Sequence, residues 1–246
     1  IDDPPANTYT HEMMCDLDAA IIKARFDESV HVIVIQGEGG KFFSAGANIN
    51  MLRTSDPYFK SYFCLDANET LSRLEQTPKL VIGALNGHTV GGGLEIALAC
   101  DIRIARKDSG KIGLPEVNLG VLPGTGGTQR LGRLLGKPKS IELMVEGRTF
   151  GFDAALELGL VNKIYEGDNE EFLAQVMEYA KQVTPPNKPS RAVGRIKRSV
   201  CSGVEVPFSE GLAIERELQQ LLFQGDDARE GLAAYLDKRP PEFSGK

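Results

Sequence analysis

The sequence predicts an α/β protein, in which strands and helices alternate before a helical C-terminal portion begins. Three short runs, residues 31–36, 80–87 and 101–105, are rich in β-branched and other apolar residues and are bounded by turn residues. Runs of this length and composition are typical of buried strands. Because helical patterns lie between them, the order of elements favours an α/β layer architecture.

The predicted helices follow from apolar residues that recur at helical spacing. Residues 10–26 place Met14 and Leu17 on one face, and similar stretches lie around 58–76 and 94–100. Helix and strand therefore alternate along most of the first two thirds of the chain.

Residues 152–165 form the last predicted helix–strand unit of this alternating part. Asp153 is placed to cap a short helix, Gly159 is placed to end it, and the chain then returns as a strand. Beyond this unit the pattern is mainly helical, with no low-complexity linker. We therefore divide the chain into two domains, residues 1–170 and residues 171–246.

Composition and charge limit the classes of function. The chain has 246 residues, 41% of them hydrophobic and 25% charged, with a formal net charge of -6. This balance is ordinary for a protein with a sizeable core, and its sign argues against a general affinity for nucleic acid or anionic membrane. No apolar run reaches the roughly 20 residues of a membrane span. We expect a cytoplasmic protein of bacterial type, or a mitochondrial matrix protein if a transit peptide preceded Ile1.

Cysteine and histidine residues are scattered, with no close cysteine pair and no recognised metal-ligand spacing. We expect free thiols in a reducing compartment and no metal site. The seven residues are Cys15, Cys64, Cys100, Cys201, His11, His31 and His88.

The most distinctive motif is NGHTVGGGLEIALACD at 86–101, where three glycines run into a helical pattern that carries Glu95. Glycine lets another group approach the backbone closely, and a helix N-terminus offers free N–H groups. The motif therefore suits an oxyanion or a phosphate, although it matches neither a Walker loop nor a dinucleotide fingerprint. The alternative is a tight turn in which Glu95 accepts from the first-turn amides.

Two further segments have the same character. KFFSAGANI at 41–49 places small residues around Gly46, and the segment 112–131 places Glu116 after Pro115 among apolar neighbours. Burial would raise the pKa of such a carboxyl group and suit it to be a general acid. The alternatives are an ordinary loop for the first segment and a surface or capped acid for the second.

Taken together, four segments resemble the crotonase (enoyl-CoA hydratase/isomerase) superfamily. They are SAGANI at 44–49, the glycine motif extended to 86–105, GLPEVNLGVLPGTGGTQRL at 113–131 and REGLAAYLDKR at 229–239. The resemblance implies a crotonase-like spiral of repeated ββα units with a helical C-terminal trimerisation region. On this view residues 1–170 are the catalytic core and residues 171–246 the oligomerisation region of a homotrimer or a homohexamer (dimer of trimers).

The resemblance also implies an activity, that of a hydro-lyase acting on an acyl-CoA thioester in fatty acid metabolism such as β-oxidation. The N–H groups of Ala47 and Gly92 would form an oxyanion hole for the thioester oxygen. Glu95 would hold and deprotonate the water, and Glu116 would supply the α-proton. No metal or redox cofactor is implied, since coenzyme A is part of the substrate.

Coenzyme A contacts are implied at two places. Lys238 matches a C-terminal lysine that reaches the coenzyme A of a neighbouring subunit. Asn48 stands where many members have aspartate, and Asn50 where lysine is common. The residues matching the segment beside the adenine are Ala45, Ala47, Asn48 and Ile49.

Several alternatives stay open on the sequence. The same scaffold supports double-bond isomerases, decarboxylases and enzymes that hydrate or hydrolyse rings, although isomerases usually lack the acid at Glu95. Residues around 51–70 and 117–121 would set that choice. The basic stretch at 188–198 is either a solvated helix face or a contact for coenzyme A phosphates or RNA, which would suit a non-catalytic scaffold. A non-catalytic subunit of a β-oxidation complex is the last alternative.

Overall fold

The computed structural model describes residues 1–245 and shows the predicted alternation of strands and helices. The strands are β1 (Thr8–Tyr9), β2 (Val32–Gln36), β3 (Phe42–Ser44), β4 (Gly46–Ala47), β5 (Leu80–Leu85), β6 (His88–Val90), β7 (Ile102–Arg106), β8 (Lys111–Gly113), β9 (Thr149–Gly151) and β10 (Lys163–Tyr165). The helices are α1 (His11–Phe26), α2 (Ile49–Thr54), α3 (Pro57–Gln76), α4 (Gly92–Leu98), α5 (Gly127–Leu135), α6 (Lys137–Val145), α7 (Phe152–Glu157), α8 (Asn169–Gln182), α9 (Ser190–Gly203), α10 (Phe208–Phe223) and α11 (Asp226–Asp237), with a 3-10 turn at Glu116–Leu119.

Strands β1 and β4 pair with each other, and successive strand pairs then place one strand in each of two larger sheets, which is the ββα repeat that the resemblance implies. One sheet has the order β10-β7-β5-β2, and its β7 pairs in parallel with both β5 and β10. The other has the order β3-β6-β8-β9, in which β9 is antiparallel to β8. The pairs β2–β3, β5–β6 and β7–β8 each add one strand to each sheet, and helices follow each pair. The predicted crotonase-like α/β fold with C-terminal helices is confirmed.

The chain divides into two compact units. The first comprises 1–22, 34–75 and 81–176, and the second comprises 23–33, 76–80 and 177–246. Whether residues 1–170 and 171–246 have separate catalytic and oligomerisation roles stays a prediction.

Within the first unit, α4 is enclosed on all sides. All seven of its residues, Gly92–Leu98, are buried, and so are the neighbouring residues of β5 such as Ile82 and Ala84. A helix with no solvated face reads as continuously apolar, and this explains the run GGLEIAL. Glu95 is the one charged residue in that helix, so its carboxylate needs hydrogen-bond donors from other parts of the fold.

Helix α7 begins differently from the sequence prediction. Its N-cap is Gly151, which makes no side-chain cap, and Asp153 lies inside the first turn. The prediction of Asp153 as the cap is wrong by two residues, although a carboxylate in the first turn is still favourable beside the helix N-terminus. Gly159 ends the helix with a φ of 75°, as predicted.

In the second unit, α9 and α10 pack against each other along their lengths. Lys197 of α9 is buried and donates to the carbonyl oxygen of Lys79 at 3.0 Å. Arg198 donates to Gln76 Oε1 at 2.5 Å. The interpretation of the basic stretch as a solvated helix face is therefore wrong for Lys197, whose ammonium group has a structural partner.

The prediction that no segment spans a membrane can be checked against the helices. Among residues 1–245, no helix combines the length and the apolar character that crossing a bilayer requires.

Candidate active site

A cavity of about 460 Å³ opens in the first unit, and all three glycine-bearing segments contribute to its wall. One part of this wall is apolar and includes Leu52, Phe63 and Leu122. Two basic residues, Arg53 and Lys60, also line it. The predicted site residues on the wall are Ala45, Ala47, Ile49, Gly92, Glu95 and Glu116.

Two of the segments meet because Gly46 has no side chain. Its φ is 89°, and a Cβ atom there would lie 2.7 Å from the Gly92 nitrogen. The main chain on either side of Ala47 is tied to the segment of β1, because Ala45 N donates to Ala6 O and Asn48 N donates to Tyr9 O, both at 3.0 Å. Gly92 is the first residue of α4, so its N–H has no acceptor within the helix.

Glu95 is 2% exposed, and other segments supply its hydrogen-bond donors. Its Oε1 accepts from the N–H groups of Thr125 at 2.8 Å and Gly127 at 2.7 Å, and its Oε2 accepts from the Thr125 hydroxyl. The alternative in which Glu95 accepts from the first turn of its own helix is wrong. Burial raises the pKa of Glu95, and the bonds from Thr125 and Gly127 act in the opposite direction.

The Thr125 hydroxyl is itself fixed by Tyr9. The Tyr9 oxygen lies 3.3 Å from Thr125 Oγ1, and both residues are buried. Since the single hydroxyl hydrogen of Thr125 goes to Glu95, Tyr9 donates to Thr125. Tyr9 and Thr125 are not among the site residues predicted from the sequence. A buried acid requires donors, but nothing in the sequence says which residues provide them.

Glu116 occupies a different environment, at the start of the 3-10 turn that follows Pro115. Its Oε1 would lie 3.1 Å from a Cβ atom on Gly91, which is glycine with a φ of 56°. Its Oε2 is shielded from solvent and accepts no hydrogen bond from the described residues 1–245. Burial, and to a smaller extent the charge of Glu95, raises the pKa of Glu116 to about 7. Near neutral pH this carboxyl group can therefore both give and take a proton.

Asn48 and Lys238 lie elsewhere. The Asn48 side chain caps α2 by accepting from Met51 N at 3.1 Å, and its amide donates to Thr8 Oγ1 at 3.3 Å. An aspartate would make the same cap, so the replacement is conservative for the fold. Lys238 follows α11 in the second unit with a φ of 54°. The predicted coenzyme A contacts of both residues stay predictions.

The fold and the cavity define a class: an α/β protein of ββα repeats whose buried pocket pairs two carboxylates with glycine-rich backbone. The family follows from comparison of the whole chain. The chain belongs to the enoyl-CoA hydratase/isomerase family, whose model matches residues 1–246.

Individual relatives align with this chain over nearly their full length. The chain is 37% identical to the "Probable enoyl-CoA hydratase" of Bacillus subtilis over 249 residues, covering 100% of this chain and 94% of the relative. It is 34% identical to the crotonyl-CoA hydratase of Syntrophomonas wolfei, covering 98% of this chain and 90% of the relative. A crystal structure of an enoyl-CoA hydratase from Geobacillus kaustophilus HTA426 superposes with a TM-score of 0.96 at 45% identity, covering 100% and 92% of the two chains.

Proposed function

We propose that this protein is an enoyl-CoA hydratase, which adds water reversibly and with syn geometry to a trans-2-enoyl-CoA to give a 3-hydroxyacyl-CoA. The observation that carries the proposal is the pair of carboxylates, Glu95 and Glu116, on the wall of one cavity. Addition of water needs one group to take a proton from water and another to give a proton to C2. Migration of a double bond needs only one such group, so the second carboxylate favours hydration.

The thioester oxygen is assigned to the N–H groups of Ala47 and Gly92. Both residues line the cavity, and the Gly92 N–H, at the first position of α4, has no acceptor within that helix. As water attacks C3, negative charge moves onto the thioester oxygen and an enolate forms. Donors already fixed by the backbone stabilise that charge without reorganisation, and loss of one such donor typically costs about 10²–10³ in rate.

Glu95 is assigned the water. A carboxylate has about four acceptor positions, and three on Glu95 are taken by the donors from Thr125 and Gly127. The remaining position lies on Oε2, and there we place the water that Glu95 deprotonates. The oxygen of that water forms the bond to C3, and its proton passes to Glu95.

Glu116 is assigned the proton for C2. Its pKa of about 7 keeps a large protonated fraction near neutral pH, and its Oε2 has no competing protein donor among residues 1–245. After the addition Glu116 is ionised and Glu95 is protonated, and exchange with solvent restores both. Dehydration of the product runs through the same two groups with their roles exchanged.

The proposal includes an oligomer built through the second unit, as the resemblance implies. Several large apolar side chains on α10 and α11 are exposed in the single chain, among them Phe208 at 82% and Tyr235 at 84%. Exposed apolar groups at this density are typical of an interface. Sedimentation of the purified protein would show a trimer or a hexamer, and a monomer would refute this part.

The experiment for the activity is loss of the conjugated enoyl absorbance when the protein is mixed with crotonyl-CoA. We expect rapid loss with the wild type and a fall of about 10²–10⁴ in kcat for Glu95→Gln and for Glu116→Gln. Glu157→Gln, which changes an exposed acid at the end of α7, is the matched control and should keep full activity. Activity that survives both active-site substitutions would refute the proposal.

A further inference from the structure

We propose that His11, Cys15 and Asp66 form a binding site for a divalent transition-metal ion of the Zn²⁺ class, outside the catalytic cavity. The site lies on the first unit, between one face of α1 and one face of α3. It does not depend on the proposed hydratase activity.

The two separations measured from His11 match the ligand spacing around a tetrahedral ion. His11 and Cys15 are four residues apart on α1, so they share one face of the helix. The Cys15 Sγ lies 3.7 Å from His11 Nε2, which in turn lies 3.8 Å from Asp66 Oδ2. All three ligand atoms lie within 4.8 Å of one another. Tetrahedral zinc, with bonds of about 2.0–2.3 Å, separates its ligand atoms by about 3.3–3.8 Å.

The Asp66 carboxylate supplies an independent observation. Its Oδ2 is shielded from solvent and accepts no hydrogen bond from any described residue of the chain. The 3.8 Å to His11 Nε2 is too long for a hydrogen bond. The Asp66 side chain as a whole is 38% exposed, so this oxygen is the part of the carboxylate that lacks a hydrogen-bond donor, and an ion between the three ligand atoms would be its direct partner.

The surrounding charge favours a cation. The acids Glu12 and Asp16 lie next to His11 and Cys15 in the sequence of α1, whereas the nearby Asp18 is paired with Arg73 at 2.7 Å. Glu69 lines the same surface depression as His11 and Asp66. The excess of negative charge around the three ligands raises the local concentration of cations.

The types of ligand atom select the ion. One imidazole nitrogen, one thiolate sulfur and one carboxylate oxygen suit Zn²⁺ or Co²⁺, whereas Mg²⁺ and Ca²⁺ take oxygen ligands. On binding, the Cys15 S–H bond breaks, its proton goes to solvent, and a sulfur electron pair forms the bond to the metal. The exposed position of Cys15 leaves room for water as the fourth ligand.

Metal binding would join α1 to α3 near the cavity. The His11 ring meets Phe59 edge to face at 6.4 Å, and Phe59 stacks on Phe63 at 6.1 Å. Phe63 lines the catalytic cavity. An ion that fixes His11 would therefore also fix this row of aromatic rings, and we expect the metal to raise the thermal stability of the chain.

The sequence predicts no metal site, because its cysteines and histidines are not clustered. The four-residue separation of His11 and Cys15 becomes a ligand pair only on a helix. Asp66 comes from a helix that is distant in sequence, and the sequence alone does not place it there.

The test is titration of the full chain with Co²⁺, which gives a thiolate-to-cobalt absorption band and the visible bands of tetrahedral cobalt. We expect one Co²⁺ per chain, displaced by Zn²⁺. Cys15→Ser should remove the thiolate band, and Asp66→Asn should weaken binding by about 10-fold or more. Cys201→Ser, which changes a cysteine of α9 in the second unit, is the matched control and should keep the band.

The possible results of these titrations distinguish a specific metal site from its alternatives. Equal melting temperatures of the metal-free wild type and Cys15→Ser would show that the variant is folded, and a thiolate band that persists in it would overturn the proposal. Weak binding of several ions without the band would mean adventitious surface binding and would also overturn it. If Cys15→Ser unfolds, the Asp66→Asn titration decides on its own, since unchanged affinity would refute the site.

Discussion

The two carboxylates of the cavity lie in opposite kinds of environment. Glu95 is 2% exposed, sits in a helix with no solvated face, and accepts from two backbone N–H groups and a hydroxyl. Glu116 is half-buried in a 3-10 turn, and its Oε2 accepts nothing from residues 1–245. We propose that these environments suit the two identical side chains to different tasks, with Glu95 held rigidly as an acceptor and Glu116 exchanging a proton.

The difference extends to the surroundings of each acid. The loop at Thr125–Gly127 supplies three hydrogen-bond donors to Glu95, which also lines the cavity. The turn that carries Glu116 continues into Leu119 and Val121, which are 63% and 58% exposed in the single chain. The surroundings of Glu95 therefore hold its carboxylate in one position, whereas the turn that carries Glu116 leads to residues exposed to solvent.

The largest expected effect comes from crowding the Glu95 side. A Cβ atom on Gly92 would lie 2.2 Å from the Tyr9 oxygen, and Tyr9 is buried and linked to Glu95 through Thr125. Gly92→Ala should therefore lower kcat by at least the roughly 10²–10³ expected for a displaced oxyanion donor. Gly132→Ala, in α5 where a Cβ meets nothing within 4 Å, is the control and should add about 0.5–1 kcal/mol of stability. Equal activities of the two variants would contradict a tightly packed Glu95 side.

The next effect comes from removing the hydroxyl that holds Glu95. Thr125→Val keeps the shape but leaves Glu95 Oε2 and the Tyr9 hydroxyl without their partner. Such a loss costs about 1–3 kcal/mol, which corresponds to a fall of about 5-fold to 160-fold in kcat/KM. Thr125→Ser keeps the hydroxyl and should stay within a few-fold of the wild type. A fully active Thr125→Val would show that this hydroxyl does not position Glu95.

The pH dependence of kcat/KM tests the role assigned to Glu116. Hydration needs Glu116 protonated, so kcat/KM should fall about tenfold per pH unit above about 7. Dehydration starts from the same net protonation with the proton on Glu95, and the reaction consumes no net proton, so its kcat/KM should follow the same profile. Rates measured in both directions across neutral pH would check this, and a kcat/KM that stays flat above pH 7 would exclude Glu116 as the group that exchanges the C2 proton.

The smallest effect is on stability. The pKa of Glu116 is raised in the folded state, so the folded chain prefers the protonated carboxyl, and stability is lost as pH rises from the unfolded value through about 7. Glu116→Gln is neutral at every pH. After allowance for its partial exposure, it should be about 1–2 kcal/mol more stable than the wild type above pH 7 and equal to it near pH 4. Urea unfolding at both pH values measures this, and a variant destabilised at high pH would argue against the assigned environment.

The sequence predicted the fold well because its signals are local. The apolar runs that became β2, β5 and β7 and the helix at His11–Phe26 lie where the pattern placed them. The resemblance added the two-sheet arrangement, which residue patterns alone do not specify. The Asp153 cap failed because helix boundaries depend on one or two residues of turn geometry.

The site was predictable only in part. The glycine motifs identified the segments that line the cavity, since close backbone approach requires glycine. The donors that hold Glu95 were not predictable, because Thr125 is 30 residues away and its place in the segment 113–131 does not show that it donates to Glu95. Tyr9 lies further still from Thr125, at a separation of 116 residues. Contacts of that range arise from tertiary packing.

The different roles proposed for Glu95 and Glu116 are tested most directly by exchange of the C2 hydrogens of butyryl-CoA with deuterated water, followed by mass spectrometry. This saturated thioester cannot be hydrated, so exchange reports only proton transfer at C2 with the enolate held by the backbone. We predict exchange by the wild type and by Glu95→Gln, and none by Glu116→Gln. Exchange that persists in Glu116→Gln and vanishes in Glu95→Gln would contradict the assigned roles of the two carboxylates.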